Sequence, residues 1–130
     1  MSEKEIQLQI EKSTTSLFQT VFPRDTNHYD TLFGGTAMQL MDEVAFITAT
    51  RFSRKKMVTV SSDSIDFKVP IPHGRIIELV GKVSKVGRTS LVVQVDVYIE
   101  KMYEEGRKHA ISGNLSFVAI GDDKKPTLIC

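Results

Sequence analysis

The second half of the chain is written in a two-residue period. Val93, Val95, Val97 and Ile99 alternate with Gln94, Asp96, Tyr98 and Glu100, as the two faces of a half-buried strand require. Four strands are predicted here: Met57 to Val69, Arg75 to Val86, Leu91 to Tyr103 and Lys108 to Ile120. Turn residues divide them, with Pro70, Pro72, His73 and Gly74 after the first, Gly87 after the second and Glu104 to Gly106 after the third. A further strand is expected upstream from Thr14 to Phe22, where β-branched and aromatic residues run up to Pro23, which has no amide hydrogen for a ladder. Ile6, Leu8 and Ile10 also alternate, but among charges, so residues 1–13 read as a frayed arm or a short strand at a sheet edge. The charged residues 121–130 read as a loose tail.

The period changes between Asn27 and Phe52. After a polar loop from Pro23 to Asp30, Leu40, Met41, Val44, Ala45, Ile47, Thr48 and Phe52 recur at the three- and four-residue steps of a helix. Ala37, Met38, Phe46 and Ala49 fill most of what remains, so this helix is expected to be buried on most of its surface. Ser53 to Lys56 form a basic exit turn that suits the negative end of the helix dipole. One long helix and about five long strands predict the α+β class, with a curled antiparallel sheet wrapped around one central helix. A parallel sheet would need more crossovers than one helix can supply. The strand from Leu91 to Tyr103 has no proline or glycine inside it and reads as an open sheet edge, fit for pairing with a second chain.

Composition narrows the function classes. A chain of 130 residues, 41% hydrophobic, has room for one domain. Seventeen basic and sixteen acidic residues leave no global field for nucleic acid or an anionic membrane. No apolar run reaches the roughly twenty residues of a membrane span, and the charged N-terminus lacks a signal-peptide core. Cys130 is the sole cysteine, which excludes an internal disulfide and a multi-thiolate zinc site and makes the cytoplasm the expected compartment. His28 and His73 have no partner at metal-ligand spacing, and no G-x-S-x-G occurs, so neither a metal site nor a serine-hydrolase triad is expected.

Asp42 and Glu43 are the anomaly. They sit in the middle of the apolar helix, where an ionised carboxylate needs water or a partner, since burying it alone costs several kcal/mol or more. Around them runs an ordered set of motifs: Asn27 and His28, then Thr31–Gly35 as TLFGG, then Met41, Asp42 and Glu43. Val58, Thr59 and Val60, Asp66 and Phe67, the Val69–Ile71 turn and Val86–Ser90 as VGRTS follow downstream. In this order and spacing they resemble the hotdog-fold acyl-CoA thioesterases, in the cytosolic acyl-CoA hydrolase branch, from Thr14 to Ile120.

The resemblance implies a single hotdog domain that hydrolyses acyl-CoA to a fatty acid and coenzyme A, without a cofactor, as a homodimer or a dimer-based oligomer such as a hexamer. Asp42 is then the general base or nucleophile, because thioester hydrolysis needs one activated oxygen opposite an oxyanion site. Gly34 and Gly35 bring backbone N–H groups near the positive end of the helix dipole, where an oxyanion would be held, and they also allow tight packing. Seven residues of helix separate Gly35 from Asp42 by about 10 Å, so the two would serve one carbonyl only across a dimer. An alternative partner for Asp42 is a basic side chain on a neighbouring strand, and Glu43, pointing about 100° away, reads as structural. The family commonly has Asn or Asp where this chain has Thr31. Thr31 is therefore the expected carbonyl or water contact, with Asn27 the alternative.

Gly87, Arg88, Thr89 and Ser90 resemble the family's coenzyme A nucleotide contact, since a cation with hydroxyls and N–H groups suits a phosphate. An ordinary polar hairpin is the competing reading. A non-catalytic acyl-CoA-binding protein is the alternative function, kept open by Thr31. Hydratase or dehydratase chemistry would want a histidine beside the carboxylate, for which His28 is the nearby residue.

Overall fold

The computed structural model describes residues 1–130. In chain order the elements are α1 (Glu3–Ser13), β1 (Thr15–Val21), a short 3-10 turn (Pro23–Asp25), α2 (Gly34–Ser53), β2 (Lys56–Phe67), β3 (Arg75–Val86), β4 (Ser90–Lys101) and β5 (Lys108–Ile120). All strands pair antiparallel in one sheet of order β1-β3-β4-β5-β2. A short turn at Gly87–Thr89 joins β3 to β4, and a longer loop, residues 102–107, joins β4 to β5. By contrast, β2 lies at the far edge from β3, although it directly precedes it in sequence.

Alternation puts Ile77, Leu79 and Val83, then Leu91, Val93, Val95 and Val97, then Ile111, Leu115, Phe117 and Ala119 on one face of the sheet, where they are buried. The helix α2 lies across that face and touches every strand. Two sheet glycines let it come close. A Cβ on Gly81 would stand 2.5 Å from Thr48 Oγ1 and 2.9 Å from Val44 Cγ1, and one on Gly113 would crowd Met41 Cε of the helix at 3.1 Å and collide with Ile65 of β2. Ala37, Met41, Val44, Ala45, Thr48, Ala49 and Phe52 form the buried side of the helix.

Four expectations change. Residues 1–13 are neither arm nor strand: Ser2 caps α1 by accepting from Glu5 N–H at 3.1 Å, and Glu3, Glu5 and Lys12 complement its dipole. Ile6 and Ile10, four residues apart, pack on the core from one helical face while Leu8 is 57% exposed. The strand β4 is not an edge but lies between β3 and β5; the edges are β1 and β2. The helix α2 is covered on one side only, leaving Met38 39% and Phe46 46% exposed in the single chain. The tail is not loose, because Ile129 is buried in the core and its N–H donates to Arg88 O.

A reciprocal clasp ties α1 to the end of α2. The Gln9 amide donates to Arg51 O and Phe52 O, which the last turn of α2 leaves without helical donors. In return, the Arg51 guanidinium donates to Lys12 O, Thr14 O and Thr15 Oγ1. No helix is long and apolar enough to cross a membrane.

Candidate active site

The helix α2 begins without a side-chain cap. Phe33 occupies the N-cap position and offers no side-chain hydrogen bond, so the N–H groups of Gly34, Gly35 and Thr36 have no acceptor in the protein. A Cβ built on Gly35 would meet nothing within 4 Å. Packing within the single chain therefore does not require glycine at this position, whereas an open row of N–H donors at the positive helix end suits an oxyanion.

Two turns further along, Asp42 projects from the same side of α2. Its Oδ1 accepts a hydrogen bond from Thr59 Oγ1 at 2.8 Å, and no cationic side chain pairs with it. Thr59 reaches the helix because it stands two residues after Met57, whose side chain is buried on that face. The register of β2 against β5 shifts just beyond, between Thr59 and Ser61, so a bulge ends the regular alternation there. Asp42 and Thr59 share an open cavity of about 430 Å³ with Gly35, Met38, Val60 and Ser62. Asp42 keeps free lone pairs beside water-accessible space, which a base needs.

The loop before α2 is organised around one side chain. Asn27 Oδ1 accepts from Tyr29 N–H at 2.9 Å, Thr31 N–H at 3.3 Å and Thr31 Oγ1 at 3.2 Å. The hydroxyl of Thr31 is therefore spent on Asn27, while the Asn27 amide nitrogen donates to nothing in the protein. Thr31 also bridges Pro72, and with Leu32, Gly34, Ala37, Phe67 and Ile71 it lines a second, apolar cavity of about 270 Å³. His28 lies beside the Tyr29 ring, 3.9 Å between centroids, and makes no hydrogen bond or ion pair with Asp42.

The structure thus brings Asn27 to Thr31 just before α2 and Asp42 to Thr59 two turns along it, with Gly35 lining the same open cavity as Asp42. It does not bring Arg88 to Thr31 within one chain. The Gly87–Ser90 turn follows the end of β3 and Thr31 lies just before its start, so the length of the strand, roughly 35 Å if fully extended, runs between them. Thr59 is the residue whose role the sequence reading missed. Seventeen residues separate it from Asp42, and no periodicity signals a contact across that interval.

The thioesterase superfamily profile matches residues 29–105. An uncharacterized acyl-CoA thioester hydrolase of Bacillus subtilis, YkhA, is 42% identical over 106 residues, which cover 82% of this chain and 62% of the relative. The chain thus spans less than two thirds of that relative's length. The acyl-CoA hydrolase of Staphylococcus aureus, solved with butyryl coenzyme A, coenzyme A and coenzyme A disulfide, is 39% identical with a TM-score of 0.88, covering 92% of this chain and 73% of that one. Alanine variants of that hydrolase at an asparagine, an aspartate and a threonine have also been solved. The hexameric thioesterase y2039 of Yersinia pestis is 28% identical with a TM-score of 0.79, covering 86% of this chain and 91% of that one. With a curled five-stranded sheet around one long helix, and with a profile match across more than half of its length, this chain belongs to the thioesterase superfamily.

Proposed function

We propose that this chain, as a single hotdog domain, hydrolyses acyl-CoA thioesters to the free acid and coenzyme A. The observation that carries the reading is Asp42, a carboxylate on a mostly apolar helix, held by the Thr59 hydroxyl rather than neutralised by a cation and open to water-accessible space. Two lines support the residue assignment. The asparagine, aspartate and threonine replaced in the Staphylococcus aureus hydrolase are separated by 15 and 17 residues, and Asn27, Asp42 and Thr59 have the same intervals. The hydrogen bonds also favour Asn27 over Thr31 as the donor to a carbonyl or a water, because only Asn27 retains a free donor.

In the reaction, water oxygen adds to the thioester carbon, or Asp42 adds first and water then cleaves the acyl-enzyme anhydride. Asp42 accepts the water proton in the first case. The carbonyl oxygen gains negative charge against the N–H groups at the start of α2. Expulsion of the coenzyme A sulfur breaks the C–S bond, after water adds in the first case and as the anhydride forms in the second, and of the two water protons one reaches the sulfur and one stays on the acid. Arg88, Thr89 and Ser90 hold the nucleotide end.

The working unit in this reading is at least a homodimer, with Gly35, Thr31 and Asn27 from one chain and Asp42 from its partner. Support comes from β2, an edge strand exposed along nearly all of its length, which continues into uncovered Met38 and Phe46. Two such edges paired antiparallel about a two-fold axis would set the start of one α2 against the middle of the other. A hexamer of such dimers extends the reading to the assembly named for the Yersinia relative. Cys130 is a free, exposed thiol, which suits a reducing compartment, and we place the activity in the cytoplasm.

The test is thiol release from a panel of acyl-CoA substrates of increasing chain length. Asp42→Ala is expected to keep its fold and lose about 10²- to 10⁴-fold in kcat. A folded Asp42→Ala protein with wild-type turnover would remove Asp42 from the mechanism.

A further inference from the structure

The turn assigned above to the coenzyme is held by its carbonyl groups. Gly87 N–H donates to Ser90 O at 2.7 Å, Ala119 N–H donates to Thr89 O at 2.9 Å, and Ile129 N–H donates to Arg88 O at 3.0 Å. The N–H groups of Arg88 and Thr89, in contrast, have no acceptor in the protein. At Arg88 and Thr89 the backbone therefore presents free donors while both of its carbonyls are engaged.

The most distant of these bonds in sequence comes from the tail beyond β5. The peptide joining Arg88 to Thr89 is planar and trans, so its C=O and N–H point in opposite directions. Gripping the Arg88 carbonyl from the Ile129 side aims the Thr89 N–H away from the tail. The Ile129 grip is firm because its side chain is 4% exposed and packs into the core. A folded-back segment delivers it there: Gly121 N–H donates to Lys125 O at 2.9 Å, Pro126 bridges Ile120, and Thr127 N–H donates to Ala119 O at 2.8 Å.

We propose that Ile129 is a positioning residue for phosphate recognition by this turn. It orients the Thr89 N–H so that, with the Arg88 N–H and guanidinium, the turn meets a phosphate of coenzyme A. The inference rests on the coenzyme assignment made under the proposed function, and it concerns a residue outside every motif that carried that assignment.

Ile129→Pro tests it, because proline removes the N–H and keeps an apolar side chain. Ile129→Ala retains the N–H but empties the core site, and Ile129→Val keeps the donor and most of the bulk. Each variant is assayed with a good acyl-CoA substrate and with the matching S-acyl-pantetheine, which lacks the nucleotide, beside Arg88→Ala and with its melting temperature recorded. Ile129→Pro is expected to raise KM for acyl-CoA about 5- to 10-fold, as the loss of one oriented hydrogen bond would. In the same variant kcat, and kcat/KM for S-acyl-pantetheine, should stay within about 2-fold. Ile129→Ala should raise KM in the same selective way, and Ile129→Val should bind close to the wild type. If Arg88→Ala raises KM while Ile129→Pro and Ile129→Ala do not, the positioning role is overturned. Equal losses on both substrates would also overturn it, by making Ile129 merely structural. An unchanged KM in Arg88→Ala would remove the coenzyme assignment and the inference together.

Discussion

Replacing Thr59 by valine isolates what its hydroxyl does for Asp42. The two side chains are nearly the same shape, and Thr59 lies on an exposed part of β2, so the change should move stability by no more than about 0.5 kcal/mol. What it removes is a 2.8 Å hydrogen bond to a carboxylate. Bonds to charged groups contribute about 1.5–3 kcal/mol when buried, but Thr59 is exposed and Asp42 is half-buried, so about 1–1.5 kcal/mol is the reasonable figure. If the bond holds Asp42 in its reactive orientation, that corresponds to roughly a tenfold fall in kcat. The assay is thiol release at saturating acyl-CoA for wild type, Thr59→Val, Asp42→Ala and the double variant. Because Thr59 acts through Asp42, the double variant should be no slower than Asp42→Ala. A further tenfold loss in the double variant would mean that Thr59 touches substrate itself, and no loss in Thr59→Val would mean that the bond does not matter for turnover.

Gly35→Ala separates packing from chemistry: with open space around the new Cβ and a better helix former in place, melting temperature should hold or rise slightly, while kcat/KM should fall at least about tenfold if substrate approaches this backbone. A fully active Gly35→Ala enzyme would remove the close approach. Mixing Asp42→Ala chains with Gly35→Pro chains under subunit exchange should restore activity in heterodimers, each holding one intact site. A mixture that exchanges and stays inactive would show that each site is built within one chain.

The bounds of β3 and β5 were legible to the residue, because alternation is clean in both and Gly87, Gly106 and Gly121 punctuate it. Residues 1–13 misled for a physical reason. Ile6 and Ile10 satisfy a two-residue and a four-residue period alike, and only the Ser2 cap distinguishes the helix from a strand. The edges of the sheet were not legible, because local sequence specifies which face a residue takes but not which strand lies beside it. Hence β4, with its unbroken apolar face, looked like an edge and lies in the centre. Candidate residues carried by contiguous motifs, such as Asp42 after TLFGG, were visible. Thr59 and Ile129 were not, since the contact each makes exists only in the folded chain.

The strand order has a consequence for how the molecule comes into being. Within the chain, β2 pairs only with β5, from Lys56 with Ile120 to Phe67 with Ile111, so the first long strand made must wait for the last. At about 5–20 residues per second of synthesis, Met57, Val58 and Val60 stand unpaired for seconds beside a helix already able to form. Such non-local closure is slow for topological reasons, and it makes the Thr59 contact to Asp42 one of the last to assemble. A nascent chain stalled before Lys108 would hold a carboxylate without its threonine and β2 with neither edge paired, open on both sides to copies of itself.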